Sequence, residues 1–197
     1  MRSEAPILMP IFRTQTQGAL LALVLDRSER EWTMSELATL TGAALTSMQS
    51  EVARLESAQI FVSRKVGRNR LVKANLANPV VKPLTQLALY SFGPRPIIAR
   101  EFAGLDAKAI ILFGSWPARL SGESGPILPD IDVLVVGDSL VKEDVLLAVE
   151  RAERKLGRPV NPVLRSVKAW SNPHQDSLIK EILARPFVDL SHPPWSP

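Results

Sequence analysis

The sequence predicts a two-domain chain of mixed class, an α+β domain followed by an α/β domain. Three observations carry that reading. Two short runs of helical periodicity meet at Gly42, a strongly basic stretch of strand-like residues follows, and from Ala107 onward short apolar runs alternate with helical ones. At 197 residues, with 46% hydrophobic and 22% charged composition, the chain has the apolar mass for two small cores.

Composition also excludes chemistry. With no cysteine, disulfides, thiolate metal sites and a cysteine nucleophile are ruled out. That absence agrees with a cytoplasmic location, which is the expected one. The longest uninterrupted apolar run, Ala19 to Leu25, is far too short to span a bilayer, so no membrane partner is expected. The opening "MRSEAPILMPIF" carries an acid and prolines and does not read as a signal peptide. A net charge of +4 and a pI near 9.7 are mildly basic.

Ala19 to Leu25 reads as part of a buried first helix. Thr33 and Glu36 have capping-box spacing and predict a helix start at Met34, with Gly42 as its stop. A second helix restarts around Thr46, with Met48, Val52 and Leu55 inside and Ser47, Gln49, Ser50 and Arg54 outside. Next, "IFVSRKVGRNRLVKAN" predicts two strands about a Gly67 turn. From Arg54 to Lys73 there are six basic residues against one acid, Glu56, a net of +5.

This order, with the phrase "EVARLESAQIFVSRKVGRNRLVKAN", resembles the winged-helix DNA-binding domain of bacterial regulators of the arsenic-repressor and multiple-antibiotic-resistance kind. The domain is expected over residues 1–77. The resemblance implies double-stranded DNA as partner, with the helix near Thr46 in the major groove and the hairpin as a wing on phosphates or in the minor groove. Thr46, Ser47, Gln49, Ser50 and Arg54 on the helix, and Arg64, Lys65, Arg68 and Arg70 on the wing, are the expected contacts. Which read bases and which hold phosphate stays open.

Residues 78–104, "NPVVKPLTQLALYSFGPRPIIAREFAG", suggest two helices broken at "GPRP", read as a connector and a candidate homodimer surface. From 105 to 190 the pattern becomes α/β. "AKAIILFG" and "IDVLVVG" are buried strands, "KEDVLLAVERAERKLG" is an amphipathic helix stopped by Gly157, and "RPVNPVLRS" is a further strand. "HQDSLIKEILARPFVDL" gives a helix and an edge strand, and the tail 191–197 is expected to fray.

The chemistry concentrates between Ile111 and Asp138. Strand alternation puts Asp130 and Asp132 on one face, about 6.6 Å apart at Cα, with Ile131 turned into the core. Paired oxygen ligands of that kind suit Mg²⁺. The Gly114-Ser115 turn offers close backbone approach and a hydroxyl for a phosphate oxygen, and Arg119 can add charge.

Gly-Ser at a strand end, a loop with Ala-Arg and Asp-x-Asp on the next strand resemble the minimal nucleotidyltransferases of the DNA polymerase beta superfamily. The resemblance implies a nucleotidyltransferase-fold mixed sheet flanked by helices. It also implies binding of a nucleoside triphosphate with Mg²⁺, or Mn²⁺ in its place, and transfer of a nucleoside monophosphate to a hydroxyl or phosphate. Carried over, Gly114, Ser115 and Arg119 bind nucleotide, while Asp130 and Asp132 hold metal and are the catalytic residues if the site is active.

Three departures are visible. "GSWPAR" places Arg119 one position late, Asp130 follows Pro129 rather than Ser, and the strand position of the third carboxylate is matched by Asn161. An amide ligates a metal weakly and accepts no proton at neutral pH. Asp138, about 20 Å down the strand, does not replace the missing acid, and Glu123 in the loop is a poor substitute. His174 and His192 read as surface residues and Trp116 as core. The expectation is a DNA-binding transcriptional regulator whose second domain binds Mg²⁺-nucleotide. The alternative is an active nucleotidyltransferase acting on a small molecule, RNA or protein.

Overall fold

The computed structural model describes residues 12–121 and 130–191, and the Arg119 side chain, like the Glu123 loop and His192, lies outside the described residues. The chain divides into two compact units, Met1–Pro96 and Ile97–Pro197. Both are of mixed α/β type. The first holds a three-stranded antiparallel sheet and the second a four-stranded mixed sheet.

In the first unit α1 spans Gln15–Asp26 and buries Leu20, Leu21, Val24 and Leu25. A two-residue strand, β1 (Trp32–Thr33), precedes α2 (Met34–Thr41). Periodicity does not reveal β1, because two residues carry no alternation. Trp32 fixes it: the indole is fully buried, with the Arg30 guanidinium 3.9 Å and that of Arg27 5.4 Å from its ring centre.

The Thr33–Glu36 capping box forms with both reciprocal bonds, and Gly42 closes α2 in the left-handed region at φ 68°. α3 (Leu45–Ser57) follows, turning Met48, Val52 and Leu55 inward. The hairpin is β2 (Phe61–Val66) and β3 (Asn69–Ala74), in sheet order β1-β3-β2. Its two-residue turn holds Gly67 at φ 57°, a conformation glycine adopts without strain.

The expected connector 78–104 forms α4 (Val81–Phe92) and α5 (Pro94–Phe102). α4 packs on α1 inside the first unit, and the boundary between the units falls within α5. The close approach of α1 and α4 depends on Gly18, which faces the Phe92 ring. That ring also takes the edge of Phe12, with centroids 5.0 Å apart.

In the second unit the order is β4 (Ala109–Phe113), α6 (Ser115–Leu120), β5 (Ile131–Val136), α7 (Lys142–Leu156), β6 (Val160–Arg165), α8 (Val167–Ser171), a 3-10 turn (Pro173–Gln175), α9 (Ser177–Leu183) and β7 (Val188–Asp189). The sheet runs β6-β5-β4-β7, parallel only between β5 and β6. On one face Ala109, Ile111, Leu134, Val136 and Ile182 form a buried cluster. The alternate residues Ile110, Leu112, Val133 and Val135 are buried too, which is why β4 and β5 read as uninterrupted apolar runs. α7 ends at Gly157 with φ 61°, and its Arg151 and Lys155 donate to the buried Glu101 carboxylate.

The Gly18–Phe92 contact gives a stability prediction. A Cβ at Gly18 would overlap an aromatic ring already held by Phe12, so Gly18→Ala should destabilise the first unit by about 1–3 kcal/mol. Denaturant unfolding with an unchanged midpoint would contradict this packing.

Candidate functional site

Two groups of side chains stand out, one in each unit. In the second unit they gather where the end of β4 meets the starts of β5 and β6. The antiparallel register pairs Phe113 with Asp132, and the parallel register pairs Asp132 with Asn161. Ile131, 1% exposed, points to the opposite face and pins the strand. The three polar side chains therefore project from one face at one end of the sheet.

The Asn161 Nδ2 donates to Asp130 Oδ2 at 2.7 Å and, more weakly, to Asp132 Oδ1 at 3.4 Å. The same amide thus holds both carboxylates. Gly114, at φ 77°, ends β4, and a Cβ there would overlap Oδ2 of Asp132. The backbone angle favours glycine, and a side chain there would push the Asp132 carboxylate aside. Burial pushes the Asp132 carboxyl above its ordinary value. The Asn161 hydrogen bond lowers it in part, and the like charge of Asp130 raises it further.

Ser115 is exposed and opens α6, a helix where the sequence suggested a loop. Trp116, Pro117 and Ala118 are all buried in it, so the segment is packed on more than one side rather than on one stripe. Trp116, 1% exposed, is a core residue. Asp138 accepts from the Val167 N–H at 3.0 Å and orders the start of α8. His174 is exposed on the 3-10 turn. Among the described residues no group of three or more His, Asp or Glu side chains converges.

This donor set fits a hard cation. Two carboxylates and an amide oxygen are ligand types that Mg²⁺ takes, and a cation there would offset both the burial that chiefly raises Asp132 and the smaller repulsion from Asp130. The amide now faces both acids with its nitrogen, and half a turn about its terminal torsion would present its oxygen instead. None of the three side chains can serve as a strong base toward an attacking hydroxyl while both acids are engaged as ligands.

In the first unit Thr46, Ser47, Gln49, Ser50 and Arg54 all lie on the exposed side of α3. The hairpin's Arg64, Lys65, Arg68 and Arg70 are exposed as well. Together α3, the hairpin and the start of α2 enclose an open groove of about 610 Å³, lined by Ser35, Gln49, Ser50, Ala53, Arg68 and Arg70 among others.

Two acids that the local sequence pattern does not assign to the hairpin reach it through the fold. Glu31 binds Arg64 with both oxygens, at 2.6 and 2.7 Å, and Glu56 pairs with Arg70. The Arg64 guanidinium holds the Glu31 carboxyl below its ordinary value. Glu56 was visible as the one acid in the basic stretch, but its partner depends on the hairpin folding back over the end of α3. Among the described residues no acid pairs with Lys65 or Arg68. These two stand at the hairpin tip, and Lys73, further along β3, also makes no ion pair among the described residues.

No family model, curated protein or solved structure matches the chain. No described helix is long and apolar enough to cross a membrane.

The raised Asp132 carboxyl sets a pH dependence. Its folded-state value lies above the unfolded one, so its contribution to stability is present below the ordinary value of 3.8 and is lost as pH rises through the raised value. Asp132→Asn should therefore raise the melting temperature of the metal-free protein near pH 7, and the gain should vanish toward pH 3. A gain that does not change with pH would contradict the assignment.

Proposed function

We propose that the chain is a DNA-binding transcriptional regulator. Its first unit is a winged helix-turn-helix domain, and its second is a nucleotidyltransferase-fold domain that binds a Mg²⁺-nucleotide. The observation that carries the DNA reading is the juxtaposition of the exposed polar side of α3 with a hairpin tip whose Lys65 and Arg68 have no acidic partner among the described residues. A helix with that face enters a major groove, and free cations beside it neutralise phosphates.

For the second unit the support is the convergence of Asp130, Asp132 and Asn161 at Gly114. When bound, the metal would neutralise charge on the nucleotide's phosphates. Asp130 and Asp132 would hold it, Asn161 would orient the pair, and Gly114 and Ser115 would face the phosphates.

An active nucleotidyltransferase is the rival reading, favoured by the two convergent acids. The amide at Asn161 argues against it, since two-metal displacement needs a further anionic ligand and a proton acceptor. Asn161→Asp separates the readings. Transfer of labelled nucleoside monophosphate that appears only in this variant marks a disabled site, whereas transfer by the wild type marks an enzyme.

The DNA reading makes a quantitative prediction. Titration of a random-sequence duplex by fluorescence anisotropy should give binding that weakens linearly with the logarithm of salt. Lys65→Ala and Arg68→Ala should each reduce that slope by roughly 1. Glu56→Gln, which frees Arg70, should tighten binding. Absence of duplex binding at low salt would overturn the proposal.

A further inference from the structure

The exposed residues of α3 differ in what their polar atoms are already doing. The Ser50 hydroxyl donates to the Thr46 carbonyl at 3.1 Å, and the Ser57 hydroxyl to the Arg54 carbonyl at 2.8 Å. The Arg54 guanidinium stands 3.7 Å from the carboxylate of Glu51, a residue of the buried side. Thr46 and Ser47 carry short hydroxyls. Gln49 is the long uncharged side chain of this face, exposed and without a hydrogen bond among the described residues. It lines the groove between α3 and the hairpin, across from Arg68 and Arg70, with the small Ser50 and Ala53 beside it.

From this we infer that Gln49 is the principal base-reading residue of α3 and that it selects adenine in the major groove, an inference that rests on the DNA-binding reading above. The chemistry is in the amide. Its oxygen and nitrogen form a matched acceptor and donor, and the adenine edge presents a donor at N6 beside an acceptor at N7. Guanine presents two acceptors there and leaves the amide oxygen facing a lone pair. The small neighbours Ser50 and Ala53 leave room for the helix to approach the base edges beside Gln49. Lys65 and Arg68 then set position and affinity, while Gln49 sets sequence.

The test is selection from a duplex library with a randomised core, using the full chain, Gln49→Ala and Gln49→Glu. The wild type should favour adenine at one position by roughly 5- to 100-fold. Gln49→Ala should flatten that position alone, with a larger loss of affinity on the selected adenine-bearing duplex than on the same duplex with that base changed. Gln49→Glu, which keeps acceptors and loses the donor, should move the preference to cytosine. Because Gln49 is exposed, melting curves of both variants should match the wild type.

Selection profiles identical to the wild type, or a uniform loss of affinity on every sequence, would overturn the inference. A wild type that binds random duplex without selecting any base also overturns it while the DNA-binding reading stands. No duplex binding at low salt overturns both.

Discussion

Asp130 and Asp132 are like charges at the head of a strand whose remaining residues are buried, and everything around them serves to make that arrangement tolerable. Ile131 anchors the strand from behind. The parallel register of β5 and β6 brings Asn161 opposite Asp132, where its amide donates to both acids. The register of β4 brings Gly114 under the second carboxylate, and the missing side chain leaves it room. The pair is compensated but not neutralised. Asp132 stays raised, chiefly by its burial, and under the proposed reading a divalent cation would supply the charge the amide lacks.

The first unit handles charge the other way round. Its hairpin concentrates cations, and Glu31 and Glu56 reach two of them through the fold. Arg64 and Arg70 are thereby held in place, and the net field of the hairpin tip is left to Lys65 and Arg68. Exposed ion pairs of this kind contribute little to stability. Their consequence is positional, since they decide which cations are free for a polyanion and which must first exchange a partner.

Much of both units was legible in the sequence, where the signal was local. Thr33 and Glu36 announced α2, and Gly42 and Gly157 marked helix stops, each in the left-handed region that favours glycine. Gly67 marked the hairpin turn. Asn161 could be matched to the strand position beside Asp132, and the register places it there. What escaped depended on contacts between distant segments or on elements too short to show a period. β1 is two residues held by the burial of Trp32, and α6 is six residues, too short to show a helical period, with Trp116 and Ala118 buried. α4 read as part of a connector, yet it packs on α1 because Gly18 and Phe92 meet across many residues of sequence. The pairing of Glu31 with Arg64 is non-local in the same sense.

The claim on which the second unit turns is that two carboxylates and an amide make a cation-dependent nucleotide site. Calorimetric titration of the full chain with a non-hydrolysable nucleoside triphosphate, with and without Mg²⁺, tests it most directly. The account predicts one nucleotide bound per chain only when Mg²⁺ is present, and loss of that binding in Asp132→Ala. No heat with any nucleotide, or binding indifferent to both Mg²⁺ and Asp132, would contradict it.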